Sequence, residues 1–327
     1  MEGMKNMKKV IAIVMALCLM LGMGVTAFAL SEEYYDISLC CTYENPYGIE
    51  VTRSNKDDVL GDGTVRYDEK TNTLYLKNAK LEAEAAAIWY YGEKDTFTIN
   101  LEGNNVIGSK EERSDVGIDV TGSSYNSGTR NDLVIKGSGN LTIYDRSAGI
   151  SVLRGDITID MTGNLTIDEE SRGAECCIYA DNGDINIKGG NLDLKAINGH
   201  CFDVFGDKRV NITGGRLKLN SNWQLFSSEN SVNTNLPVEI SEDGDNYTEG
   251  TPEQLCTANY GRINWLSNEP QKKPVKNETD TIVIDLNGEE EPEEVEENPN
   301  TGAPVLFLAG IAALAGAAEV YMLKRKK

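Results

Sequence analysis

"SGNLTIYD" (138–145), "TGNLTIDE" (162–169), "GGNLDLKA" (189–196) and "GGRLKLNS" (214–221) are close variants of one phrase. The small residue opening each phrase belongs to a longer series: Ala79, Gly103, Gly139, Gly163, Gly190 and Gly215, at intervals of 24, 36, 24, 27 and 25 residues. The long interval holds two polar insertions, "SKEERSD" (109–115) and "SSYNSGTRND" (123–132), which read as loops. Two more alternating series recur in step. One is Leu74/Leu76, Phe97/Ile99, Leu133/Ile135, Ile157/Ile159, Ile185/Ile187, Val210/Ile212 and Val238/Ile240; the other is Ile88, Ile118, Ile150, Ile178, Phe202 and Leu225.

Each unit thus carries three short segments of period two, rich in Ile, Leu, Val and Thr and separated by Gly, Asn and Asp. Alternation predicts strands, and the breakers predict turns. A unit this small cannot close a sheet alone and must stack on its neighbours to bury its apolar rows. The pattern predicts an all-β chain, a right-handed parallel β-helix of three sheets and about seven coils. Rungs about 4.8 Å apart place like residues above one another, so the Leu and Ile rows fill the bore. Asn140, Asn164 and Asn191 then fall in line as a side-chain amide ladder at a turn. A register slip of one residue would turn every inward side chain outward, so the pattern pins the register. An antiparallel sandwich also spaces strands closely, but it does not require whole phrases to repeat.

An open β-helix end is an exposed sheet edge, so both ends need covers. Residues 30–66 and 246–267 are expected to supply them, around a helix of 67–245. Residues 268–297 are acidic and contain proline, the composition of a tether; "TIVIDL" (281–286) within them is one short strand.

The chain begins with Lys5, Lys8 and Lys9, an apolar run and Ala27-Phe28-Ala29. That order predicts a secretory signal peptide over 1–29. Its other end carries Asn298-Pro299-Asn300-Thr301-Gly302, an apolar stretch at 303–323 and Lys324-Arg325-Lys326-Lys327. The stretch is long enough to cross a bilayer, and the basic end would stay on the cytoplasmic side. A plain membrane anchor is one reading. The order of parts also resembles a sortase sorting signal of Gram-positive bacteria, with Asn298 where the usual motif has Leu. That resemblance implies cleavage between Thr301 and Gly302 and acyl transfer through a thioester to peptidoglycan. The expected product is residues 30–301, secreted and displayed on the outer face of the wall as a monomer.

Removing both ends takes the formal charge from −21 to −26, because 1–29 carries +2 and 302–327 carries +3. So acidic a chain lacks the clustered Lys and Arg that hold phosphate, which excludes nucleic acid as a partner. It also repels anionic polysaccharide unless a cation intervenes. The six cysteines after position 30 show no paired C-x-x-C metal spacing, and most read as small apolar fillers. Cys177 and Cys201 precede equivalent inward residues of adjacent coils, a spacing that would permit a disulfide.

"GDGTVRYDEKTNTLYLKNAKLE" (61–82), followed by coils with "VGIDV" (116–120) and "AGISV" (148–152), resembles a family of bacterial secreted β-helix proteins described as carbohydrate-binding domains. The similarity covers roughly 55–245. These proteins share their shape with pectate lyases, and members bind cellulose and pectic acid with calcium. The resemblance implies a polysaccharide partner, from plant cell wall or host. No ligand residue of that family maps onto this chain one by one.

On the third strand, Trp89, Asp119, Ser151, Tyr179, Asp203 and Phe226 are expected to point outward, followed by Tyr91, Asp181 and Phe205 two residues on. Aromatic rings beside carboxylates suit sugars. The predicted carbohydrate-binding set is therefore Trp89, Tyr91, Asp119, Tyr179, Asp181, Asp203 and Phe205; the alternative is ordinary packing beneath the insertions. Asp132, Asp156 and Asp184 each precede a strand and should stack. Stacked carboxylates repel, which a calcium ion would relieve, unless each simply caps its own turn. No catalytic residue is assigned. Arg154 and Lys208 are conceivable lyase bases that no spacing singles out, and His200 is the chain's one histidine. The expected function is non-catalytic carbohydrate binding at the cell wall, with a pectate-lyase-like enzyme and an adhesin or structural spacer as the alternatives.

Overall fold

The computed structural model describes residues 32–122, 130–170, 176–228 and 231–265. The signal peptide, the tether after 267, the sorting signal and the apolar stretch at 303–323 lie outside them. Among the described residues, no helix is long and apolar enough to cross a membrane.

The repeating phrases form a parallel β-solenoid of about 6 turns. Face A stacks Thr73–Lys77, Thr96–Glu102, Asp132–Gly137, Ile157–Met161, Ile185–Ile187, Val210–Ile212 and Val232–Thr234. Face B stacks Lys80–Leu81, Asn104–Ile107, the first half of Asn140–Val152, Asn164–Glu169, Asn191–Ala196 and Arg216–Ser221. Face C stacks Ala86–Tyr90, Ser114–Val120, the second half of Asn140–Val152, Cys176–Ala180 and His200–Val204. Strand Asn140–Val152 runs 13 residues from face B into face C.

From the second coil onward the registers match the sequence rows. Leu133 pairs Ile157, Leu141 pairs Leu165, and Ile150 pairs Ile178. All six are fully buried in one continuous core. At the turn before face A the backbones touch: a Cβ on Gly183 would lie 1.7 Å from the Gly155 carbonyl oxygen. Only glycine fits there.

The polar rows are ladders too. Asn140 donates its amide to Asn104 Oδ1 at 2.7 Å, its own Oδ1 accepts the Asn164 backbone N–H at 2.9 Å, and Asn191 donates to Asn164 at 3.0 Å. Face A carries a second ladder, Asn186–Asn211–Asn233, with bonds of 3.1 and 3.0 Å.

Three details of register differ from the expectation. The first coil is offset by two residues: Leu74 pairs Ile99 and Leu76 pairs Leu101, and Lys80 pairs Val106, so Ala79 does not align with Gly103. The seventh strand of face A is Val232–Thr234, not the Val238/Ile240 pair. Pro237 has no N–H to extend the ladder, and Val238–Ser241 instead runs antiparallel to Tyr260–Ile263 and Thr248–Gly250. Phe226, expected outside, pairs Phe202 and stacks on it inside the bore at 5.1 Å. The one-residue offset arises because Leu225 and Phe226 are both inward, as Cys201 and Phe202 are at the same corner.

Antiparallel strands cover both ends. Tyr34–Leu39 lies against Ala86–Tyr90 and Ile49–Thr52. Tyr260–Ile263 closes the other end on Arg216–Ser221. Beside it sits the short helix Pro252–Thr257, opened by a capping box between Thr251 and Gln254, which satisfies end groups the helix leaves bare. The 109–115 insertion also stitches coils: the Arg113 guanidinium bonds the Asp168 carbonyl and, at 2.8 Å, Glu170.

Candidate functional site

Face C presents its outward side in rows set by the strand register. The central row is Trp89–Asp119–Ser151–Tyr179–Asp203, as the sequence predicts. Tyr91, Leu153, Asp181 and Phe205 follow two positions on. One sheet therefore carries all seven predicted carbohydrate-binding residues, but it does not expose them alike.

At the N-terminal end the aromatic rings are covered. Trp89 is 0% exposed and Tyr91 5%, in a cluster with Cys41, Ala85, Ala86 and Tyr47. Tyr47 stacks on the indole at 5.8 Å. The Trp89 Nε1–H donates to Thr121 at 2.9 Å, and the Tyr91 hydroxyl to Glu50 at 3.3 Å. The expectation of an open face at Trp89 and Tyr91 is corrected: the N-terminal cover, needed to hide the sheet end, folds over both rings.

Asp119 is buried as well, 1% exposed. Burial pushes its carboxyl up to about 7, opposed by the Ser151 hydroxyl beside it. Desolvation penalises the charged form, which is the physical cause.

The C-terminal end is different. Phe205 is 52% exposed and meets the Tyr179 ring edge-on at 5.9 Å. Tyr179 is nearly covered, packed on Leu153 and Cys176. Asp181 and Asp203 are half-buried. Asp181 is raised above the usual carboxylate range by burial; the Asp203 charge adds to this, while the Arg154 charge and a hydrogen bond from Tyr179 oppose it. Asn182 donates to Asp181 Oδ2 at 2.7 Å. The result is an exposed ring beside two carboxylates and one cation. Such a ledge offers a stacking surface with hydrogen-bond acceptors at its rim.

Trp223, which the sequence did not single out, and His200, noted there only as the chain's one histidine, lie together. Trp223 is 50% exposed and meets the His200 ring edge-on at 6.1 Å. His200, in the outward row opposite Cys176, lies with Nδ1 2.9 Å from the Gln224 carbonyl oxygen. A tryptophan inside the polar run "SNWQ" (221–224) was the available signal.

Asp132, Asp156 and Asp184 do stack, and their partners are protein groups. Asp132 Oδ1 accepts the Asp156 N–H at 2.8 Å, Asp156 Oδ1 accepts the Asp184 N–H at 2.7 Å, and Asp184 Oδ1 accepts the Arg209 N–H at 2.9 Å. Arg130 bridges Asp132 and Asp156 at 3.1 and 2.6 Å. Among the described residues, no group of three or more His, Cys, Asp or Glu side chains is placed to hold a metal ion.

The fold and this ledge together define a capped parallel β-solenoid with an aromatic-acidic surface at one end of one face. No protein-family model, curated protein or solved structure matches the chain.

Proposed function

We propose that the chain is a non-catalytic carbohydrate-binding protein, and that its contact surface is the C-terminal ledge of face C. The observation that carries this reading is Phe205, half exposed against Tyr179, with Asp181 in its own outward row and Asp203 in the adjoining one. Exposed aromatic rings set in a polar rim are contact surfaces. The C–H face of a sugar ring covers Phe205, while Asp181 and Asp203 accept from its hydroxyls and Arg154 donates. Wall display through residues 298–302 belongs to the same proposal and rests on the sequence order alone. Neutral polysaccharide is the favoured partner, since an acidic surface repels polyanions.

A glycan array probed with the purified chain, with and without chelator, tests this. A bound neutral glycan whose signal falls at least tenfold in both Phe205→Ala and Asp203→Asn supports it. An array with no bound glycan, or binding that survives both substitutions, ends it. Release of unsaturated sugars from polygalacturonate would instead favour the lyase alternative.

A further inference from the structure

Cys177 and Cys201 occupy the same station of successive coils. The pairs Cys176–His200 and Ile178–Phe202 bracket them. Both are 0% exposed within the main core. The Cys201 thiol also contacts the Asn220 and Leu194 carbonyls at 3.4 and 3.6 Å. Earlier coils hold Gly117 and Gly149 at this corner, where a Cβ on Gly149 would lie 2.6 Å from Ile167 Cγ2. The early coils of this row therefore admit small side chains only; Cys177 and Cys201 follow, and Leu225 takes the place after them.

Parallel neighbours in register lie about 4.8 Å apart, inside the Cα range a disulfide spans. Cys176 is no competitor, because it faces the other way, packed with Leu153 and Tyr179. We propose that Cys177 and Cys201 are an oxidative cross-link site, closed by a low-molecular-weight disulfide while the coil is open and sealed when it folds. One thiolate attacks a sulfur of that disulfide, forming a mixed disulfide and releasing the first small thiol. The second thiolate attacks the protein sulfur and expels the other small thiol. Two protein thiols lose two electrons, the small disulfide gains them, and both protons end on the released thiols. In the folded chain this exchange is blocked. The sulfurs are out of reach of solvent, and burial holds the Cys177 thiol well above its ordinary range, so the attacking thiolate is scarce.

The test is to refold the full chain from denaturant with oxidised or reduced glutathione and map it without reduction. The expected product joins tryptic peptides 173–188 and 196–208, about 2 Da lighter than their sum for the loss of two hydrogens. Its Tm should rise by about 5 °C over the reduced chain. Cys176→Ala should keep the link and Cys177→Ala should lose it. The folded, reduced chain given the same oxidant should stay unlinked. The proposal is overturned if oxidative refolding leaves Cys201 open to alkylation, pairs it elsewhere, or yields the link in Cys177→Ala. It is equally overturned if the folded chain oxidises as fast as the unfolded one. Fragmentation of the joined wild-type peptides between Cys176 and Cys177 decides even where a variant does not fold.

Discussion

The backbone N–H of Asp184 donates to Asp156 Oδ1 of the preceding coil at 2.7 Å. The carboxylate that the sequence places in a repulsive stack is thus an acceptor for the next rung. Removing it strips a partner from that N–H and from Arg130. Asp156→Ala should lower stability by about 2 kcal/mol, and Asp156→Asn, which keeps an acceptor oxygen, by less. Denaturant melts of both variants check the order. Because Arg130 and backbone amides already meet these charges, a chelator should leave the Tm unchanged; a fall of several degrees would show that a bound cation contributes.

Asp119 makes stability depend on pH in a defined window. Its folded carboxyl titrates near 7, against about 4 in the unfolded chain. Between those values the folded chain keeps a proton that the unfolded chain has released. The stabilisation is therefore complete below about pH 4, declines as pH rises toward 7 and is flat beyond, a loss of roughly 4 kcal/mol. Asp243 acts in a separate, more acid window, because backbone and side-chain bonds from Asn246 hold its carboxyl low. Urea titrations from pH 4 to 8 should show the decline, and Asp119→Asn should flatten most of it. An unaltered slope in that variant would assign the effect elsewhere.

Trp89 and Phe205 should separate cleanly. Trp89→Ala empties a buried site beneath Tyr47 and should remove about 3–5 kcal/mol of stability. Phe205→Ala trims an exposed ring and should change stability by less than about 1 kcal/mol while abolishing glycan retention. Parallel calorimetry and pull-down on insoluble polysaccharide read both effects. If Trp89→Ala stays stable, the N-terminal cover does not pack as described.

Among the described glycines, Gly183 is the one where an added Cβ would come closest to another coil's backbone. Gly183→Ala should force two coils apart and cost at least about 3 kcal/mol, since the clash is with backbone rather than a movable side chain. Gly61, with nothing within 4 Å of a built Cβ but a φ of +76°, should lose only about 1 kcal/mol on the same change. Thermal melts of the pair test whether close stacking, rather than glycine content, sets the cost.

Much of the fold was legible because a solenoid writes its geometry into the chain. The phrase around Leu141, Leu165, Leu192 and Leu217 recurs because each residue lies on its predecessor and meets the same surroundings. The Asn140–Asn164–Asn191 ladder follows from the same stacking. Phe226 was misread because a corner with two inward residues in succession breaks the period of two on which alternation depends. Val238 and Ile240 were misread because an antiparallel cover strand alternates just as a rung does.

The sequence by itself determined the parallel coils, the rows that fill them and the side of the molecule on which Trp89 and Phe205 both lie. These depend on neighbours one repeat away, which periodicity records. Only the tertiary structure decided that Trp89 is hidden and Phe205 open, and that the stacked aspartates are met by Arg130 and backbone amides. Those outcomes depend on where the non-repeating segments come to rest, and a segment without a period leaves no pattern in the chain from which its contacts could be read.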